Sequence, residues 1–74
     1  MNTFTNKYRF EHGHGPKGKA MWFFEITFVR QGEHGYATAT VHSTGMYSAA
    51  KRNAIRSFKS SPDVAEVVAI TVMP

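Results

Sequence analysis

The sequence predicts an α+β fold: a small single domain spanning residues 1–74, with an antiparallel-rich four-stranded sheet in the order β-β-β-α-β and one helix packed on one face. Three observations carry this. Residues 21–30, MWFFEITFVR, alternate in the two-residue period of a half-buried strand. Residues 44–61, TGMYSAAKRNAIRSFKSS, form the one stretch with helical periodicity over a useful length. Residues 65–73 are apolar on both parities, as befits a strand inside a sheet or against a partner.

Residues 3–10 alternate Phe4, Tyr8 and Phe10 against Thr5, Lys7 and Arg9, which predicts a first strand broken only at Asn6. Residues 11–19, EHGHGPKGK, are too rich in glycine for regular structure and predict an exposed, mobile, basic loop. In the second strand, Trp22, Phe24, Ile26 and Phe28 face the helix, with Phe23, Glu25, Thr27 and Val29 on the far side. QGEHG at 31–35 suits a hairpin turn. Residues 36–42 then set small alanines, 37 and 39, opposite that aromatic row, which leaves room for a helix. The first three strands are expected to form an antiparallel meander. The helix is expected to return the last strand parallel to the third.

For the helix, Thr44 is the expected N-cap, with Ser43 as the alternative, and Pro62 is the stop. Steps of 100° place Tyr47, Ala50, Ala54 and Phe58 on one stripe, with Ile55 at its edge. Arg52, Arg56 and Lys59 fall together on the opposite side. Lys51 falls beside the apolar stripe, its stem expected on the core and its ammonium in water.

Composition bounds the function. Seventy-four residues without cysteine exclude a disulfide staple and a cysteine-based zinc site, so an aromatic and aliphatic core must hold the domain. A net charge of +4 favours acidic partners: nucleic acid, a nucleoprotein complex or an acidic protein. No stretch has signal-peptide or membrane-spanning character, so the expected compartment is the cytoplasm and no membrane is expected as partner.

Residues 13–20, GHGPKGKA, have the spacing of a phosphate-binding loop, but Ala20 stands where a magnesium-holding hydroxyl is needed and a strand follows instead of a helix. His12 and His14 form a His-x-His pair on glycine-flanked chain, which is poor scaffolding for a metal. The lone aspartate, Asp63, and Glu11, Glu25, Glu33 and Glu66 have no spacing that pairs carboxylates, so no enzyme activity and no cofactor are expected. The mixture of aromatics and cations through Phe4, Lys7, Tyr8, Arg9 and Phe10 fits either base stacking or core.

Gly15-Pro16, then strand, turn, strand, then a helix with Ala50-Lys51-Arg52-Asn53-Ala54, resembles the second half of double-stranded-RNA-binding domains. That resemblance implies recognition of an A-form duplex through its backbone. The chain departs from that family's pattern at Tyr47 and Ser48, in the missing first helix, and in the strand after the helix. The segment V-H-S-T-x-x-x-S-A-A-K-R-N-A, residues 41–54, also resembles small phage-encoded inhibitors, some anti-CRISPR proteins among them, which implies binding to a host nucleoprotein.

The expectation is a small basic nucleic-acid-binding module. Lys51, Arg52, Arg56 and Lys59 contact phosphates, and Lys17 and Lys19 on the loop act as a second clamp. The alternative is a protein-protein inhibitor or adaptor that uses the helix-free sheet face, around Phe23 and Val29. That face could also join two copies as a homodimer.

Overall fold

The computed structural model describes residues 2–74. It is a four-stranded mixed sheet with two helices. Strand β1 (Asn2–Phe4) leads into helix α1 (Asn6–His12), followed by strands β2 (Lys19–Arg30) and β3 (Ala37–Met46), helix α2 (Tyr47–Lys59) and strand β4 (Val64–Val72). The spatial order is β1-β4-β2-β3. β1 runs parallel to β4, while β2 is antiparallel to both β3 and β4.

The order is therefore β-α-β-β-α-β, with two helices where one was expected, and three expectations about its parts are corrected. Residues 3–10 are not one strand: the chain leaves β1 after Phe4 and turns into α1. The alternation of Phe4, Tyr8 and Phe10 is misleading because the three have different fates. Tyr8 is buried against the Trp22 ring, centroids 5.5 Å apart, whereas Phe10 is 91% exposed. Helical spacing explains the segment better, since His12, four residues after Tyr8, stacks on its ring at 4.1 Å. Gly13, with φ +75°, ends the helix as its N–H donates to the Arg9 carbonyl. Seven residues make too short a helix to stand in water unaided, so the burial of Tyr8 must hold it. A helix thus precedes the hairpin after all.

The meander is the second correction. β2 and β3 form the expected hairpin, but β1 pairs with β4 and not with β2. β4 lies parallel in direction to β3, as expected of a crossover, yet β2 sits between them. The apolar character of β4 on both parities follows from its interior position. Register shifts against β2 at Thr27/Phe28 and Val29/Arg30 adjust the pairing so that Val67, Ile70 and Val72 are all buried.

The expected cap at Thr44 is also corrected. Thr44 pairs with Met21, and β3 continues to Met46, which precedes the first turn without a side-chain cap. Gly45 permits the join: its φ of +130° suits glycine, and its carbonyl accepts a hydrogen bond from the Trp22 indole N–H at 3.0 Å. The hydroxyl pattern at 43–44 thus belongs to a strand.

The core matches the alternation of β2. Trp22, Phe24, Ile26 and Phe28 are buried together with Tyr8, Ala50, Ala54, Val67, Ile70 and Val72. Tyr47, Ile55 and Phe58 pack against this cluster, and Phe58 meets Phe28 edge to face at 4.7 Å. The small Ala50 and Ala54, with Ala37 and Ala39 of β3, let α2 lie close to the sheet.

Candidate nucleic-acid interface

α2 reads YSAAKRNAIRSFK and contains no acidic residue. Its buried positions, Ala50 and Ala54, fix its roll, so Arg52 and Arg56 must point away from the sheet. Arg52, Arg56 and Lys59 are all exposed. Among the described residues, no side-chain hydrogen bond or ion pair holds these three cations. From Arg52 to Lys59 the helical rise is about 10 Å, comparable with about three phosphates along one strand of a duplex. Arg56 and Lys59 lie in the last turn, where the helix dipole favours positive charge.

Lys51 sits apart from this row. It is half-buried, with Nζ 5.7 Å from the Tyr47 ring centroid, so its charge rests against an aromatic face. Tyr47 packs in turn on Trp22, ring centroids 5.2 Å apart, and partial burial raises its phenol pKa above the ordinary value of 10.0. At neutral pH that hydroxyl stays protonated and adds no negative charge beside Lys51.

The loop cations lie at the other end of the helix. The Tyr47 N–H, in the first turn of α2, donates to the Gly18 carbonyl at 2.9 Å, and Lys19 pairs with Met46. Lys17 and Lys19 are exposed next to this junction. The loop is tied to α2 at Gly18, and the Arg9 guanidinium of α1 lies close to its middle, at Gly15. A Cβ built on Gly15 would come within 3.1 Å of the Arg9 guanidinium. Arg9 is thus a further cation beside the loop that strand alternation concealed. Its helical signal was the spacing to Thr5, whose hydroxyl accepts from Arg9 Nε at 3.2 Å.

The structure therefore brings Arg52, Arg56 and Lys59 together and sets Lys17, Lys19 and Lys51 toward the start of α2. Lys19, expected on the loop, is instead the first residue of β2, and its parity with Met21 and Phe23 turns its side chain to the helix-free side of the sheet, so the six cations do not form one continuous strip. Acidic groups lie mostly elsewhere. Glu25 and Glu66 belong to the other side of the sheet, where Glu25 pairs with Thr40 and Thr71, and Glu66 with Val29. Glu66 also borders a shallow groove with Lys59 at the start of β4.

The remaining motifs settle into structure. The residues after GHGPKGK enter β2, so no helix N-terminus follows that loop to receive a phosphate. His12 and His14 have ring centroids 6.1 Å apart, and among the described residues no group of three or more His, Cys, Asp or Glu side chains could hold a metal ion. Among the same residues, no helix is long and apolar enough to cross a membrane.

No protein-family model matches the chain, and neither does any curated protein or solved structure.

Proposed function

We propose that this chain is a small basic module that binds nucleic acid, alone or within a nucleoprotein complex, along the outer side of α2. Arg52, Arg56 and Lys59 neutralise phosphates, helped by Lys51 on the Tyr47 flank of the helix, and Lys17 and Lys19 act as a second, separate clamp. The observation that carries this reading is a thirteen-residue helix with no acidic residue and an exposed cation row that, among the described residues, makes no side-chain hydrogen bond or ion pair. The helix dipole accounts for cations at Arg56 and Lys59 in the last turn, but Arg52 lies before that turn and has no acidic partner at helical spacing in α2.

The test is fluorescence anisotropy with short single-stranded and duplex DNA and RNA across a salt series. Three phosphate contacts give a log–log slope of about −2.7 on duplex DNA, and all six cations give about −5.4. No binding to any of these at low ionic strength would remove the reading.

One observation favours a second reading, a protein-protein adaptor or inhibitor acting through the helix-free face. Phe4 and Phe23, on that side of the sheet, are 46% and 43% exposed. In that case Phe23→Glu abolishes capture of a nuclease-resistant protein partner, while Arg52→Glu with Arg56→Glu leaves it intact.

A further inference from the structure

β3 is an edge strand of ten residues, paired on one side only, and its register against β2 is unbroken. The Tyr47 N–H bond to the Gly18 carbonyl sets the phase of that ladder. Since hydrogen-bonded and non-hydrogen-bonded pairs alternate, the odd residues of β3 bond to β2. The N–H and C=O of Thr38, Thr40, His42 and Thr44 then point outward from the sheet. Soluble proteins protect such edges with lysine, proline, a bulge or brevity. β1, the other edge, is only three residues long. β3 reads ATATVHSTGM and has none of these protections.

An independent observation lies beside it. The flank of α2 next to β3 presents Asn53 and Ser57, which line a groove with Val41, Ser43 and Phe58. The cations of α2 are directed elsewhere: Lys51 over Tyr47, Lys59 toward the start of β4, and Arg52 and Arg56 away from the sheet. On a chain of net charge +4, an uncharged strip therefore runs from the strand edge onto the helix flank.

We propose that β3 of one copy pairs antiparallel with β3 of a second copy, joining two sheets edge to edge. Two like-charged chains can meet along this strip without opposing their cations. The outward groups are centred on residue 41, so a two-fold axis there sets Thr40 of one copy opposite His42 of the other, and Thr38 opposite Thr44. Each outward donor then faces an acceptor. The helices of both copies lie on the same side of the joined sheet. Their doubled cation row matters only if the nucleic-acid reading holds, but the pairing does not depend on it.

Sedimentation of the full chain tests this, with a dimer of twice the 8.3 kDa chain mass expected. Thr40→Lys with His42→Lys opposes lysines across the axis and is expected to give monomers, as is Thr40→Glu with His42→Glu. In each monomer these side chains project from the solvated face. Mixing the two variants is expected to restore a dimer of one copy of each. A wild-type chain that stays monomeric at every concentration, or a lysine variant that remains dimeric, overturns the proposal. Hydrogen exchange on the wild type provides a check if the variants do not fold. The amides of Thr38, Thr40, His42 and Thr44 should gain protection as concentration rises, and unchanged protection overturns the pairing. Loss of nucleic-acid binding with the dimer intact would remove the proposed function and leave the pairing standing.

Discussion

Trp22 and Phe23 are adjacent in sequence and mark the two sides of the sheet. Trp22 is 3% exposed, wedged between Tyr8 and Tyr47, with its indole N–H bonded to Gly45. Phe23 is 43% exposed beside His42, in a face it shares with Phe4, Lys19, Met21, Glu25 and the threonines at 27, 38, 40 and 71. The side that packs the core also bears the helix with the cation row, and the solvated side bears Glu25 and Glu66. Hydrophobic burial and positive charge thus lie in successive layers on one side of the sheet, because α2 uses its inner stripe for the core and leaves its outer one to basic residues. The difference teaches that the proposed binding surface and the stability of the domain depend on the same helix.

The sharpest way to break the comparison is Arg52→Glu with Arg56→Glu. Nucleic-acid binding is expected to be lost at physiological salt. Any residual binding at low salt should have a duplex slope reduced in magnitude by about 1.8, read by anisotropy. Thermal unfolding should change little, since both side chains are exposed. Next comes the contrast in stability. Trp22→Ala should cost about 3–5 kcal/mol in chemical unfolding, while Phe23→Ala should cost about 1 kcal/mol or less. Similar losses at the two positions would contradict the assignment of the sides. Gly45→Ala should cost about 1–2 kcal/mol, because alanine resists a φ of +130° even with open space around its Cβ.

Replacing Lys17 and Lys19 with alanine should weaken binding less than the arginine reversal, because neutral residues add no repulsion. The smallest effect concerns Tyr47. Its raised pKa means the unfolded chain ionises first, so stability is full below the ordinary value of about 10 and falls as pH rises through the folded value. Tyr47→Phe should remove that part of the alkaline decline.

Much of this was legible in sequence where one period ruled. The alternation of 21–30 named the buried row of β2, and the spacing of Tyr47, Ala50, Ala54 and Phe58 named the stripe of α2 that packs on it. The same spacing placed Arg52, Arg56 and Lys59 on the outside. Residues 3–10 failed because a seven-residue helix with a single buried side chain leaves almost no periodic trace. Thr44 failed because the hydroxyl that would cap a helix also suits a strand, and the strand is held by Met21, far away in sequence. The partnership of β1 with β4 joins the two ends of the chain, which no local pattern encodes. The nearness of Arg9 to the loop was hidden because the strand alternation of residues 3–10 masked its helical spacing to Thr5.

The central claim is that nucleic acid meets the outer side of α2 and not the open sheet face. An amide NMR titration of the full chain with a short oligonucleotide tests it most directly. The account predicts shifts concentrated at Arg52, Arg56 and Lys59, with a second group at Lys17 and Lys19, and little change at Glu25, Thr27 and Thr71. Shifts centred on those sheet residues, with α2 silent, would contradict it.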